Sequence, residues 1–471
     1  MAASDDIYPC RCYPIDNLHT LFVSFMNVCD ILLRAFSSTG FHSFMRSILI
    51  SIMALFAGIF LLLLGNSLLS TLLVLRGVAE GFSGKFLGIL TSVYFLGAFV
   101  ATLMASKLIT RMGHIRCFTF CTALIACCAL AYALFISQYA WLLIRFVTGF
   151  SVFVMYTVVE SWLNGQTQDA YRSRVFSVYT LINLLAVAAS QQFLLVDSVT
   201  NYTLFLVASL LVTAAIMPIS WTRLQQPHVA VDMPSMSIAS VYNAAPVAVI
   251  GCLVSGLIMG PFWGLTPLFV SEMAFTDKEL ATFISLSILG GALLQYPVGR
   301  WSDSMDRRRV ILFSFITGSL LAFLMALCAQ YYSLEHELLT GLSAIFCGLV
   351  LAVYPISVVH LVDRIHKDHL VGGSSALLMI YGLGSFIGPT LAGFALQYMG
   401  VSALPVYYMT VLAVFSVVLL IQLIRSRIVE KPEDHESHYV AMVRTSQNVL
   451  AMHPESEEII DVPEERRRDR Q

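Results

Sequence analysis

"SGKFLGILTSVYFLGAFVATLMASKLITRMGHIR", residues 83 to 116, aligns without a gap at an offset of 193 with "TDKELATFISLSILGGALLQYPVGRWSDSMDRRR", residues 276 to 309. Lys85/Lys278, Leu87/Leu280, Ser92/Ser285, Leu96/Leu289, Gly97/Gly290, Met112/Met305 and Arg116/Arg309 coincide. Seven matches in 34 positions are weak alone, but a second pairing sets "VVE" at 158 to 160 against "VVH" at 358 to 360, at nearly the same offset. Together they imply a chain built twice over.

What is duplicated is a set of membrane helices. The 471 residues are 58% hydrophobic and only 12% charged, with a mean hydropathy of +0.79, values outside the range of soluble globular domains. Runs near twenty apolar residues separated by polar breaks number twelve, as expected of a polytopic all-α protein. They fall near 47–75, 84–108, 115–137, 140–164, 174–196 and 202–222, then 243–271, 278–301, 308–331, 338–362, 370–398 and 403–425. The domain reading is an N-terminal bundle over 47–222, a linker over 223–242 and a C-terminal bundle over 243–427. The net charge of −2 says little, and nothing points to nucleic acid.

Basic residues orient the spans. Lys107, Arg111, Arg116, Arg172, Arg174, Arg223, Arg300, Arg307, Arg308, Arg309, Arg364 and Lys367 occupy the loops after even-numbered helices, against Arg76, Lys85 and Lys278 in the others. The excess places the even loops and both termini in the cytoplasm of a cell-membrane protein. Residues 1–46 contain "LFVSFMNVCDILLRAF" (21–36), short for a span and carrying Asp30 and Arg34. It is either an interfacial helix or part of an extension before Met45. No secretory cleavage site follows a short apolar stretch. Residues 428–471 hold eleven acidic and six basic residues and read as a solvated, disordered tail.

Seven of the ten cysteines, Cys117, Cys121, Cys127, Cys128, Cys252, Cys328 and Cys347, lie in apolar segments as small hydrophobes. Cys10 and Cys12 lack the further ligands of a metal site. No metal or cofactor is expected, and with no nucleotide-binding motif or nucleophile constellation the chain does not read as an enzyme.

The loops at the ends of the repeat carry a family resemblance. "SKLITRMGHIR" and "GRWSDSMDRRR" resemble the G-x-x-x-D-R-x-G-R-[RK] signature of the major facilitator superfamily. The first copy keeps Arg111, Gly113 and Arg116 but has Ser106 and Thr110 for the Gly and Asp; the second keeps Gly299, Asp303 and Arg307 but has Ser304 and Asp306. Arg145, Thr148 and Gly149 in "RFVTGF" continue the resemblance in the fourth helix. The glycine–proline pattern of antiporters is absent from the fifth helix, and a similar one appears in the eleventh as Gly384, Gly388, Pro389 and Gly393. "ESWLN", "YPISVVHLVDR" and "IYGLGSFIGPTLAG" are similar to the bacterial YcaD-like permeases.

The resemblance implies two pseudo-symmetric six-helix bundles with a site between them, lined by helices 1, 4, 7 and 10, in a monomer that moves a small solute through the lipid bilayer with protons as the coupling ion. A non-transporting receptor or scaffold on the same fold is the competing class. On the lining helices the polar candidates are Asn66, Ser67, Ser70 and Thr71, then Arg145 and Tyr156, Trp263 and Thr266, and Tyr354. Arg145, Gly149, Tyr156 and Glu160 form one stripe about 60° wide at 100° per residue. Arg145 either snorkels to the headgroups or faces the cavity. Glu160 has three readings: a proton carrier, a gate paired with Arg111, Arg116, Arg172 or Arg174, or a solvated helix end. His360, its partner in the second half, is either a titrating gate group or a packed histidine.

Overall fold

In this computed structural model the described residues are 43–167, 169–221, 236–330, 336–365, 369–400 and 402–425. Two compact units partition the chain, Met1–Ser51 and Ile52–Gln471. Of the first, only the opening turns of a helix are described, so the candidate interfacial helix at 21–36, Cys10 and Cys12 lie outside the described residues, as does the tail from 426. All that follows concerns the second.

It carries twelve helices long and apolar enough to cross a membrane. They are α1 (Ile52–Ala79), α2 (Gly84–Met112), α3 (His114–Leu134), α4 (Gln138–Gln166), α5 (Asp169–Ser190) and α6 (Thr203–Trp221). The second set is α7 (Pro246–Glu272), α8 (Asp277–Ser304), α9 (Arg307–Gln330), α10 (His336–Val362), α11 (Leu370–Met399) and α12 (Ala403–Arg425). Each expected span finds its helix with ends shifted by a few residues, and a 3-10 turn, Gln191–Leu195, prolongs α5. A short helix, Ile238–Ala244, starts inside the stretch read as linker, its Ser237 hydroxyl accepting from the Ser240 amide as an N-cap.

The halves share one packing plan. In the first, α2 packs on α4, α3 on α4 and α3 on α6; in the second, α8 packs on α10, α9 on α10 and α9 on α12. The repeated residues show why. Gly97 of α2 faces the backbone of Phe146 on α4, and its counterpart Gly290 of α8 faces Ala344 on α10, where an added Cβ would stand 2.6 Å from the alanine Cβ. The coincident glycine is a small-residue crossing used once in each half.

The turns repeat as well. Gly81 (φ +74°), before α2, and Ala274 (φ +56°), before α8, are separated by the same 193 residues, and both are left-handed. Alanine there carries a strain of about 1–2 kcal/mol, of which glycine's greater chain entropy returns about 0.5–1 kcal/mol. Ala274→Gly is therefore expected to stabilise the protein by about 0.5 kcal/mol, whereas Gly81→Ala destabilises it, in denaturant titrations in detergent micelles. Equal signs for the two would remove the equivalence.

Between the halves, α2 packs on α11 and α5 on α8. Three hydrogen bonds cross between the halves toward one end: Thr390 to Ser92 (2.8 Å), Ser285 to the Ala188 carbonyl (2.9 Å) and Gln192 to Ser285 (3.2 Å). This end bears Gly81 and Gly400. The other bears the arginine-rich turns and is called the basic end below.

Candidate functional site

The fourth helix delivers its arginine through a glycine. Gly149 stands directly on the Tyr94 carbonyl of α2, where any Cβ would overlap backbone. This close crossing lays Arg145, one turn earlier, over the Tyr94 ring, with the guanidinium carbon 4.4 Å from the ring centroid. Its terminal nitrogens reach Ser70 Oγ of α1 at 3.4 and 3.5 Å. Arg145 is 4% exposed, so it does not snorkel, and its Nε has no hydrogen-bond partner. Among the described residues no carboxylate forms an ion pair with it.

Arg145 lines a central cavity of about 200 Å³ walled by both halves. Asn66, Ser67, Ser70, Thr71, Tyr156, Trp263 and Thr266 also line it. Tyr354 does not; it is buried behind Tyr381, with ring centroids 5.3 Å apart, and Tyr381 is the lining residue. Polar members outside the expected lining helices include Tyr94, Asn183, Gln191 and Gln295. Gln191 accepts from Thr71 at 3.0 Å and donates to Ser67 at 3.2 Å, tying α1 to the end of α5. The signal for these was present as isolated amides in apolar runs, but α2, α5 and α8 stood outside the four helices given weight.

Glu160 lies toward the basic end of α4 and is 0% exposed, so the solvated helix end is not what the structure has. The Tyr179 hydroxyl of α5 donates to its Oε1 at 2.8 Å. Arg111 and Arg116, two of the expected gate partners, are exposed, and the described ion pairs do not join either to Glu160. The side chains of Arg172 and Arg174 lie outside the described residues. His360 is likewise buried, 4% exposed, and its Nε2 has no hydrogen-bond partner. The charges of Arg364, Asp306, Arg308 and Arg307 act on it.

The two signature loops are built differently. In the second, Arg307 at the start of α9 donates from Nη1 to Asp303 at 2.9 Å and from Nε to Asp363, just past α10, at 2.8 Å. The Ser302 hydroxyl bonds the carbonyl of buried Gly299. Beside it, burial pushes the Asp306 carboxyl up, but two hydrogen bonds and the charge of Arg308 outweigh burial and hold it below the usual carboxylate range. In the first loop Gly113 turns the chain at φ +80°, and His114, offset by 193 from Arg307, bonds Ser161 on α4 at 3.0 Å. Each third helix thus begins with a residue clasped to its fourth. Thr110, in place of the signature's acid, leaves the first copy with a neutral clasp.

The buried cysteines pack as small apolar groups, and Cys127 is exposed. Among the described residues no group of His, Cys, Asp and Glu could hold a metal ion.

The model of the Major Facilitator Superfamily matches residues 55–291 and 248–450. The chain belongs to this superfamily. It is 27% identical over 390 residues to the uncharacterized MFS-type transporter YcaD of Escherichia fergusonii, covering 82% of this chain and 98% of that one. To YcaD of Escherichia coli O17:K52:H18 it is 28% identical over 353 residues, 74% of this chain and 89% of the relative. Two solved structures share its fold. The nucleoside transporter NupG aligns with TM-score 0.62 at 14% identity, covering 80% of this chain and 98% of the other. A bacterial homolog of the human lysosomal transporter Spinster, inward-facing and occupied, aligns with TM-score 0.63 at 12% identity, covering 82% and 98%. By family it is a transporter, and its twelve candidate spans make it a multi-pass membrane protein.

Proposed function

We propose that this chain is a secondary active transporter that carries a small solute by alternating access, driven by protons, with its basic end in the cytoplasm. The observation that supports this most is the position of the cavity. It lies between two halves of matching plan, and three hydrogen bonds join those halves toward one end. Two rigid bundles joined at one end can separate there and meet at the other, which exposes the cavity to each side in turn. The basic residues favour the cytoplasm for the unsealed end, and the Spinster homolog of similar fold was solved inward-facing.

Glu160 is the group assigned to proton coupling. A carboxylate wholly out of water must be paired or protonated, and the Tyr179 hydroxyl can stay bonded to it in either form. Uptake into proteoliposomes with and without an imposed pH gradient tests the reading. Glu160→Gln keeps an acceptor for Tyr179 but cannot release a proton, so gradient-driven accumulation is expected to fall at least about tenfold while exchange of substrate across the membrane persists. An unchanged response to the gradient in that variant would remove Glu160 from coupling. Saturable binding with no flux of any solute would favour the receptor class instead.

A further inference from the structure

We infer that the central cavity receives a small organic carboxylate, its charged head held by Arg145 in the first half and its apolar body laid against the second. This deepens the transport reading and rests on it for passage of the ligand, though not for binding.

Three observations converge. Arg145 is the single charged residue among the described residues that line the cavity, so the lining carries one positive charge and no negative one. A guanidinium that is nearly all buried leaves a large desolvation cost uncompensated unless an anion joins it. Its present partners are weak substitutes: a serine hydroxyl at 3.4 to 3.5 Å, the Tyr132 hydroxyl and the Tyr94 face, none of them anionic, with Nε unbonded. The planar fork of arginine matches a carboxylate two bonds at a time, which a neutral ligand cannot reproduce.

The second observation is the division of the walls. In the first half Ser70 and Tyr94 meet Arg145, and Asn66 and Gln191 also line the cavity, amides and hydroxyls set among Leu63, Phe95, Phe153, Leu184 and Val187 and able to bond the oxygens of the head. Across from them the second half presents mainly Phe262, Trp263, Ile284, Ile288 and Leu351. A ligand that satisfies both walls is amphiphilic. Third, a volume of about 200 Å³ falls below the roughly 300–1,000 Å³ of drug-sized pockets, a space that suits one ring with a short chain. The cavity thereby rejects cations: an ammonium group would bring like charge to a buried arginine.

The test uses the full chain, purified in detergent, and reads thermal stabilisation by 4-phenylbutyrate, by its neutral amide, by 4-phenylbutylamine and by inorganic phosphate. The carboxylate should stabilise saturably, the amide and amine at least tenfold more weakly, and phosphate, which has charge but no apolar body, not at all. Arg145→Gln should weaken carboxylate binding about thirtyfold and abolish the preference over the amide, and Arg145→Lys should restore part of it. The selectivity of the unaltered protein decides the matter even where a variant fails to fold. Equal or better binding of the amide or the amine, stabilisation by phosphate matching that of phenylbutyrate, or no stabilisation by the carboxylate overturns the inference. Selective carboxylate binding without flux in proteoliposomes would keep the site and overturn the transport reading, whereas flux of a neutral solute with no anion preference would do the reverse.

Discussion

Arg307→Ala is expected to cost about 3–5 kcal/mol of stability, the range for removing one member of a buried, hydrogen-bonded ion pair. Arg307 is 9% exposed as a side chain and bonds Asp363, 11% exposed, and Asp303, 25% exposed. Its loss takes the guanidinium from two carboxylates at the junction of α8, α9 and α10. The other members of the cluster should matter in order of burial. Asp363→Asn removes a nearly buried partner and leaves the pair with Asp303, so its cost is intermediate. Asp303→Asn touches the more exposed i,i+4 pair, where about 0.5 kcal/mol is usual. Arg307→Lys keeps the charge but loses the fork that reaches both acids, and should fall between Arg307→Ala and the unaltered protein. Denaturant titration in mixed micelles at neutral pH measures all four. An Arg307→Ala protein no less stable than Asp303→Asn would show that the cluster does not hold this corner together.

Much of this corner was legible as motif and little as geometry. Gly299, Asp303 and Arg307 stand out in the sequence because spacing in a loop is a local property. Asp363 does not, since it comes 56 residues later and meets Arg307 only because α9 folds back on α10. The same limit separates Arg145 from Tyr94. An arginine among apolar residues announces itself, but the ring beneath it was set by a helix crossing at Gly149 that no periodicity on α4 alone contains. The repeat carried more than its seven identities show. It pairs Gly81 with Ala274 and His114 with Arg307, positions that share a backbone angle or a clasp but not a side chain. Residue matching cannot find such pairs, whereas structure shows them at once. The twelve spans were plain because hydrocarbon imposes the same composition on every one of them.

Gly88→Leu is expected to abolish the sealed state and with it at least 99% of transport. At this crossing α2 and α11 touch backbone to backbone. A Cβ on Gly88 would overlap the Pro389 carbonyl and stand 2.8 Å from the Gly393 Cα, and a Cβ on Gly393 would stand 2.8 Å from both the Gly84 carbonyl and the Gly88 Cα. The atoms in the way are main chain, so no rotamer change relieves them, and the helices must move apart. Their separation also breaks the Thr390 to Ser92 bond one turn along, since a hydrogen bond of 2.8 Å does not survive a shift of an ångström. Gly384 and Gly388 differ: they pack α11 against α7 within its own half, at Leu253, Gly256 and Leu257. Leucine there should lower stability without favouring either state, whereas leucine at Gly88 or Gly393 should shift the balance between states with the fold retained. A cysteine placed at Thr266 in the cavity wall reports the difference. With Gly88→Leu it should react faster with a membrane-impermeant maleimide applied at the end bearing Gly81 and Gly400, and more slowly from the basic end. Gly341→Leu, where a Cβ meets nothing within 4 Å, is the control and should change neither rate. Unaltered labelling and transport in Gly88→Leu would mean that this crossing is not the seal, and that closure at this end rests on α5 and α8 instead.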